Sequence, residues 1–449
     1  MKPDRKINLP QFLTPLAETF GFSPLFVFII VSLLAVLMAF AVFWFFHSAP
    51  PTTITITSGP EGSSFQNYAE QYRRNLLAKG IKLKIIPSQG SLENLQRLND
   101  SKYSVDVGFV QVGVSDGTNS SKLMSLGSIA YQPVLIFYRS ATNLNFLSDL
   151  LGKRLAIGPI GSGTRSFALT LLHTNGITGG NATLFELDAA PAAEALLAGK
   201  MDAIFLMGDS ASPKIMRQLM LNPEIRIFSF AQADAYVRRI TYLNKLELPM
   251  GTIDLGKNIP AHDITLIAPT VEILARPGLH PALSDLLLEA AQEVNGTPKI
   301  FQGKNDFPAA LEYNVPLSPD ATRFYKNGKK FLYGALNNFW LASLLTRIMV
   351  SFVPLVLILV PTLRAIPALY RWRVRMVLNR RYRLLLAVEK EARKQLTTEQ
   401  FAELSVRLDG IEQTVNKTKV PASFADQFYN LRGHIQFVRA KLLTSPAAK

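Results

Sequence analysis

The amino-acid sequence predicts an α/β domain of two lobes with mostly parallel sheets, flanked by two transmembrane helices and followed by an α-helical tail. Three observations predict this class. Strand-like and helix-like stretches alternate in two successive runs between residues 53 and 206. Apolar runs of membrane-spanning length lie on either side of the region that contains them. Apolar residues also recur at steps of three and four near the C-terminus.

The composition excludes several kinds of chemistry. The chain has 449 residues, 48% of them hydrophobic and 18% charged, which leaves room for one large two-lobed unit plus membrane segments. It has no cysteine, so disulfides, thiolate metal sites and cysteine nucleophiles are excluded. The five histidines lack HExxH or paired spacing, and no nucleophile–base pair or phosphate-binding GK[ST] sequence is visible. We therefore expect no metal, no cofactor and no enzymatic activity.

The net charge of +15 is unevenly distributed along the chain. The positive excess is +1 in residues 1–49, +3 in residues 50–338 and +11 in residues 339–449. A basic cluster beside an apolar run is explained by attraction to anionic membrane lipid and by its role in setting topology. The middle region is nearly neutral, so no nucleic-acid partner is expected.

The first apolar run covers residues 22–46, carries no charge and ends in an aromatic cluster. The alternative is a cleaved signal peptide, whose apolar core is only about 7–15 residues long and needs a small-residue cleavage site. Here the bulky sequence FWFFH follows the apolar core, and only Ser48-Ala49 resembles such a site. We predict an uncleaved anchor over residues 23–46.

The second apolar run, residues 341–363, spans a membrane only if Arg347 is tolerated near one end, where its long side chain can reach the interface. Pro354 would kink this helix without preventing it. We therefore predict a second transmembrane helix here.

Charge predicts the orientation of both helices. Seven arginines follow the second apolar run before the next acidic residue: Arg364, Arg371, Arg373, Arg375, Arg380, Arg381 and Arg383. By the positive-inside rule this flank is cytoplasmic, and the basic residues in 1–22 place the N-terminus on the same side. Residues 50–338 are then expected in the bacterial periplasm, with both helices in the inner membrane.

The first part of the periplasmic region has the pattern βαβαβ. Strands are predicted at Ile54–Thr57, Leu83–Ile86 and Val105–Val110, with helices opening after the loops 58–64 and 87–91. In open parallel sheets, ligands bind beyond the carboxyl ends of the strands, which is where these loops lie.

The second part begins with a glycine loop between a strand, Arg154–Ile157, and a helix, Arg165–Thr174. Glycines allow a ligand to approach the backbone closely, and the first N–H groups of a helix are unpaired and carry partial positive charge. The loop therefore predicts an anion site, although an ordinary tight turn has the same pattern.

Two lobes follow from these runs. We read residues 132–139 as the crossover and place lobe 1 at about 52–139 and 229–335, with lobe 2 at about 140–228. The return after Phe228 is inferred from the buried-strand run Ile264–Ala268. A ligand would bind in the cleft, and the lobes would close by a hinge motion.

A family resemblance covers residues 52–335. The segments SGPEGSSF, PSQGSLENL, VDVGFVQ, YQPVLIFYR, LLGKRLAIGPIGSGT, ALLAGKMDAIF and VPLSPDATRFYKNGKKFL occur in the order typical of the TAXI-type solute receptors of TRAP transporters. The segments FWLASLLTR and PTLRAIPALYRWRVR resemble the membrane-attached subset that has a C-terminal transmembrane helix. The resemblance implies the two-lobed type II periplasmic binding protein fold, and small carboxylates or glutamate-like amino acids as ligands.

The resemblance also implies which residues contact the ligand. In the first lobe these are Ser63, Ser64, Phe65, Gln89, Gly90, Ser91 and Gln111. In the second lobe they are Ser162, Gly163, Thr164 and Arg165. Phe65 is equally consistent with a core position, and Arg165 either pairs with a ligand carboxylate or lies on the surface.

The C-terminal segment, residues 364–449, combines the basic juxtamembrane stretch with two amphipathic helices. Their apolar positions are Phe401, Leu404, Leu408, Ile411 and Val415, then Phe424, Phe428, Leu431, Ile435, Val438 and Leu442. Thr397 and Gln400 fit a capping box, and Val420-Pro421 separates the helices. We expect a cytoplasmic hairpin whose helices cover each other, or a short coiled coil that forms a homodimer.

Two functions remain open at this stage. The first is a membrane-tethered periplasmic receptor that captures a small organic anion for a TRAP-type permease. The second is a sensor that reports ligand occupancy to a cytoplasmic partner through the helical tail.

Overall fold

The computed structural model describes residues 24–115, 117, 122–328, 339–394, 397–417 and 424–444. It divides into two compact units, Ala49–Leu345 and a second unit drawn from residues 1–48 and 346–449. The expected cytoplasmic segment 1–22 and the break at Val420-Pro421 lie outside the described residues.

The regular elements are numbered here in chain order. The strands are β1 (Thr53–Thr57), β2 (Lys82–Ile86), β3 (Val107–Gln111), β4 (Met124–Tyr131), β5 (Leu135–Tyr138), β6 (Arg154–Ala156), β7 (Thr183–Phe185), β8 (Ala203–Leu206), β9 (Arg226–Ile227), β10 (Asn244–Leu248), β11 (Ile264–Ala268) and β12 (Thr270–Ala275). The helices are α1 (Pro24–His47), α2 (Ser64–Ala78), α3 (Ser91–Asn99), α4 (Gly163–Thr174), α5 (Ala189–Leu197), α6 (Pro213–Met220), α7 (Ala233–Arg239), α8 (Pro281–Asn295), α9 (Pro319–Asn327), α10 (Phe339–Ala392), α11 (Thr398–Asn416) and α12 (Ala425–Leu443).

The first lobe is a five-stranded sheet in the order β2-β1-β3-β12-β4. Strand β1 runs parallel to β2 and β3, whereas β12 is antiparallel to both of its neighbours, β3 and β4. Helices α2 and α8 cover one face, where the fully buried Phe65, Tyr72 and Phe109 belong to one apolar core. The mostly parallel βαβαβ pattern predicted from the sequence is therefore present, with an antiparallel strand inserted.

The second lobe is also built on a five-stranded sheet, in the order β7-β6-β8-β5-β9. Strand β6 is parallel to β7 and β8, and β5 is antiparallel to β8 and β9. Two apolar cores pack around this sheet, one containing Phe167, Phe205 and Phe228 and the other containing Phe137 and Leu196. A separate two-stranded antiparallel ribbon, β10-β11, packs against the same cores.

Two chain crossings connect the lobes and lie side by side. The outward crossing passes through Gln132, between β4 and β5, and the return crossing passes through Pro269, between β11 and β12. The Gln132 N–H donates to the Pro269 carbonyl at 2.8 Å, and the Val134 N–H donates to the Ile267 carbonyl at 3.2 Å. Paired connections of this kind form a hinge, because rotation about a few residues moves one lobe against the other.

The expected return to lobe 1 after Phe228 is wrong. The strand Ile264–Ala268 exists with those bounds, but it pairs with β10, and its side chains Leu266 and Ile267 pack in second-lobe cores. Lobe 1 resumes at Thr270 with β12. A buried apolar run predicts a strand but carries no information on its pairing partner, which explains the error.

Among the described residues, two helices are long and apolar enough to span a membrane, over Phe28–His47 and Phe339–Thr362, and few of their side chains are buried. They correspond to the two predicted segments. The Arg347 guanidinium lies 4.9 Å from the centre of the Phe45 ring, a cation–π contact at one end of the second span. Helix α10 does not end with the apolar run but continues to Ala392, a length of about 80 Å.

The tail helices share one apolar core with the end of α10. The predicted capping box is present, since Thr397 accepts from the Gln400 N–H and Gln400 accepts from the Thr397 N–H. The core joins the predicted stripes of α11 and α12 to a third set, Leu378, Leu385 and Val388. The expectation of two helices that cover only each other omitted this third helix, because its apolar positions are interspersed with arginines.

Candidate ligand-binding site

Helices from both lobes begin at the interface between them. Helix α2 starts after Ser63, whose side chain accepts from the Gln66 N–H at 3.2 Å. Helix α4 starts after Ser162, whose side chain accepts from the Arg165 N–H at 3.0 Å. Both predicted hydroxyls are buried and cap their own helices, which fixes the direction in which the helix N-termini point.

A carboxylate from the chain itself occupies the predicted anion position. Asp209 follows β8 in the second lobe, and its side chain is fully buried. Its Oδ2 accepts from the N–H groups of Gly163 at 2.5 Å, Thr164 at 3.3 Å and Ser91 at 3.4 Å. Its Oδ1 accepts from the hydroxyls of Thr164 at 2.7 Å and Ser210 at 3.2 Å. We call Ser91, Gly163, Thr164 and Ser210 the carboxylate clamp.

The clamp draws on both lobes. Ser91 is the first residue of α3 in lobe 1, whereas Gly163 and Thr164 open α4 in lobe 2. Two backbone hydrogen bonds join the lobes beside it: Ser64 N–H donates to the Gly208 carbonyl and Glu93 N–H donates to the Gly161 carbonyl, both at 2.9 Å. The described structure is therefore the closed form of the cleft.

Two predicted glycines permit this close approach. A Cβ at Gly163 would lie 2.8 Å from Ser91 Oγ and 2.9 Å from Asp209 Oδ2 and Gln111 Oε1. Gly90 has a φ of +132°, which side chains rarely adopt, and a Cβ there would lie 2.6 Å from Asp209 Oδ2. A side chain at either position would force the clamp groups around it to shift.

Gln111 brings an unused acceptor to the clamp. Its N–H donates to Ser91 Oγ at 3.2 Å, and its side chain is 1% exposed. Among the described residues, no donor reaches its Oε1, which faces Gly163. Gln89, the other predicted glutamine, is exposed, and its N–H donates to Glu93 Oε2 at 2.6 Å.

The remaining two predicted residues lie away from the clamp. Phe65 is fully buried in the lobe 1 core, with its ring 5.5 Å from that of Phe109. Arg165 forms an ion pair with Glu186, at 2.8 Å from Nε and 2.6 Å from the terminal nitrogen. The structure therefore shows the core position for Phe65, whereas the Arg165 side chain is half-buried, 28% exposed, in an ion pair within the second lobe.

A second feature of the interface is a cavity of about 330 Å³ beside Gly208, which we call the interlobe cavity. Polar groups of Ser64 and Gln132 and the aromatic rings of Tyr68 and Tyr131 line it. The Lys299 ammonium, also at the lining, lies 4.7 Å from the centre of the Tyr68 ring. The cavity thus combines aromatic walls with a positive charge.

Sequence reasoning missed Asp209 and Gln132. The Gln132 carboxamide, with its oxygen toward Gly208 and Asp209, accepts from both backbone N–H groups at 2.5 Å and so fixes the Asp209 loop to the hinge. A signal for Asp209 existed, since it follows the apolar run Ala203–Leu206, and site residues collect beyond the carboxyl ends of such strands. Burial raises the pKa of Asp209, and its hydrogen bonds from Thr164, Gly163 and Ser91 oppose that shift.

Within the described ranges, no group of three or more His, Asp or Glu side chains could hold a metal ion. The site offers hydrogen-bond donors, the acceptor Gln111 Oε1 and a closing hinge.

Two sheets joined by a double hinge, with helix N-termini meeting between them, define the class of two-lobed, periplasmic binding protein-like solute-binding domains. Residues 65–328 match the model of the NMT1-like family, and since this is more than half of the chain, the chain belongs to that family.

Solved structures with a similar fold include the periplasmic aliphatic sulphonate binding protein SsuA from Escherichia coli. It is 15% identical, with 55% of this chain and 73% of that chain covered and a TM-score of 0.36. An ancestral arginine-binding protein bound to arginine is 14% identical, with 55% and 93% covered and a TM-score of 0.35. The CcmR regulatory domain from Synechocystis PCC6803, in complex with 2-PG, is 12% identical, with 55% and 98% covered and a TM-score of 0.36.

Proposed function

We propose that this protein is a membrane-tethered receptor that binds a small organic anion, a carboxylate or an amino acid, between its lobes. The observation that carries the proposal is the carboxylate clamp, in which donors from both lobes converge on one carboxylate. Donors at helix N-termini stabilise negative charge, and they meet only when the lobes close. A solute carboxylate in the clamp would therefore couple binding to closure.

The neighbouring groups support an amino acid or a hydroxy acid as ligand. Gln111 Oε1 is buried at the clamp and lacks a donor among the described residues, so it suits a ligand ammonium or hydroxyl group. The interlobe cavity next to Gly208 offers space, aromatic walls and the Lys299 charge for the rest of the molecule.

The membrane context belongs to the same proposal. Residues 50–338 form the periplasmic solute-binding domain, the apolar parts of α1 and α10 cross the inner membrane, and both termini are cytoplasmic. The basic residues after the second span contact anionic lipid, and TRAP-type permease subunits accept the ligand.

The second candidate function is a sensor of ligand occupancy. The observation that favours it is helix α10, because the helix that contains the second apolar run continues to Leu378, Leu385 and Val388 of the tail core. Hydrogen exchange of the tail peptides 398–416 and 425–443 tests it: a ligand-dependent change favours the sensor, and unchanged exchange favours the transport receptor.

Calorimetric titration of the full chain in detergent tests the receptor function, using amino acids, hydroxy acids, keto acids and dicarboxylates. We expect one class to bind, and we expect Gly163→Ala to weaken its binding by about tenfold or more, because the added Cβ obstructs closure around a carboxylate. Gly179→Ala is the matched control, since open space surrounds that glycine. No binding across the panel, or equal binding by both variants, would contradict the proposal.

A further inference from the structure

Asp209 occupies the clamp. It is already the acceptor for the N–H groups of Ser91, Gly163 and Thr164 and for the Thr164 hydroxyl. The Ser210 hydroxyl lies 3.2 Å from Asp209 Oδ1 and 2.8 Å from Thr164 Oγ1. The side chain is fully buried, so no second carboxylate fits beside it. Burial of an ionised group is tolerated only with hydrogen bonds of this kind.

The contacts of Asp209 also connect the two lobes across the cleft. Asp209 and Thr164 belong to the second lobe, but Ser91 belongs to the first, and Gly90 leaves room for the carboxylate oxygen between them. The backbone of the same loop is held by Gln132 at the hinge and by Ser64 through Gly208. Opening the lobes would break the Ser91 and Ser64 hydrogen bonds together.

We propose that Asp209 is an internal ligand, a carboxylate built into the chain that closes the lobes without solute and that a solute carboxylate must displace. The closure stands on the geometry alone, and only the displacement rests on the proposed function. A tethered group competes at an effective concentration in the millimolar range or above. A bare monocarboxylate therefore fails to displace it, and a solute succeeds only through further contacts, as at Gln111 or in the interlobe cavity.

Distance measurements between the lobes test the closure. Because the chain has no cysteine, Arg74→Cys in lobe 1 and Lys200→Cys in lobe 2 give two exclusive sites for spin labels, both exposed. Pulsed electron paramagnetic resonance on the full chain in nanodiscs, without solute, is expected to give one short, narrow distance distribution. Asp209→Ala is expected to shift it to longer, broader distances. Asp188→Ala, at an exposed aspartate of the same lobe, is the matched control and is expected to leave it unchanged.

Chemical rescue identifies the role of the carboxylate. The Asp209→Ala side chain lacks only the carboxylate group, so sodium formate at millimolar concentration is expected to restore the short distance, and sodium chloride at the same ionic strength is not. In the same variant, a solute that binds the receptor is expected to bind about tenfold more tightly or better, because no closed, self-liganded state competes.

Three results would overturn the proposal. The first is a long, broad distance distribution without solute in the spin-labelled chain that keeps Asp209. The second is an unchanged short distance in the spin-labelled Asp209→Ala variant, and the third is rescue by chloride as well as by formate. If circular dichroism shows that Asp209→Ala is unfolded, Thr164→Val takes its place, since it removes one donor from the clamp and leaves Asp209 intact. A closed wild-type chain with no binding solute would contradict the receptor function and leave the internal ligand standing. An open wild-type chain that binds solute would contradict the internal ligand and support the receptor function.

Discussion

At the residue scale, the buried carboxylate of Asp209 lies at the glycine loop before α4, where it accepts from the Gly163 N–H. Backbone geometry predicts an anion at such a loop. Asp209 supplies this carboxylate because the loop after β8 folds across the interface, and no local sequence pattern predicts the path of that loop. Arg165 shows the same limit, because its partner Glu186 lies 21 residues further along.

A second buried acid, Glu272 of β12, controls how stability depends on pH. It is 4% exposed, its Oε1 lacks a donor among the described residues, and burial raises its pKa to about 8. The folded state therefore keeps a proton that the unfolded chain releases near pH 4.5. The contribution of Glu272 to stability is greatest below that pH and is lost as the pH rises toward 8, by on the order of 4 kcal/mol.

We expect Glu272→Gln to remove this loss, so that the variant unfolds at a higher temperature than the unsubstituted chain at pH 8 and the difference shrinks by pH 5. Calorimetric melting of the full chain between these pH values measures it. Glu247→Gln, at an exposed glutamate of β10, provides the comparison and should follow the unsubstituted chain. Parallel pH curves for the Glu272→Gln variant and the unsubstituted chain would show that Glu272 does not cause the dependence.

At the element scale, caps and periodicity predicted elements well and their partners poorly. The predicted strand Ile54–Thr57 and helix Arg165–Thr174 differ from the observed elements by at most two residues, because loops and capping serines mark their starts. Strand β11 has its predicted bounds, but it was predicted to belong to lobe 1 and instead pairs with β10. The extension of α10 past residue 363 was missed because arginines mask its apolar positions.

Because the α10 extension packs in the tail core, alanine substitutions at two adjacent leucines are expected to have very different effects on the stability of the tail. Leu385 is 2% exposed in the tail core, whereas Leu384 is 44% exposed. We expect Leu385→Ala to destabilise the tail by about 2–4 kcal/mol and Leu384→Ala by well under about 1 kcal/mol. Hydrogen exchange of peptides 398–416 and 425–443 measures the local effect. Equal exchange in the two variants would mean that α10 does not contribute to the tail core.

At the scale of the whole molecule, the distribution of charge predicts the topology. Two helices of the described residues are long and apolar enough to span a membrane, and most of the positive excess of the chain lies after the second. A membrane-impermeant maleimide is therefore expected to label Leu255→Cys, 87% exposed in the two-lobed unit, on spheroplasts. It is expected to label Val406→Cys, 72% exposed in the tail, only after the membrane is permeabilised. The reverse pattern would invert the topology.

The insertion of β12 between β3 and β4 has a consequence for biogenesis. The second-lobe sheet uses one uninterrupted stretch of chain, β5 to β9, so it is complete once residue 227 has left the ribosome or the translocation channel. The first-lobe sheet lacks its fourth strand until residue 275 arrives, and until then β3 and β4 present open edges to other chains. The lobe that is synthesised first is therefore the lobe that finishes folding last.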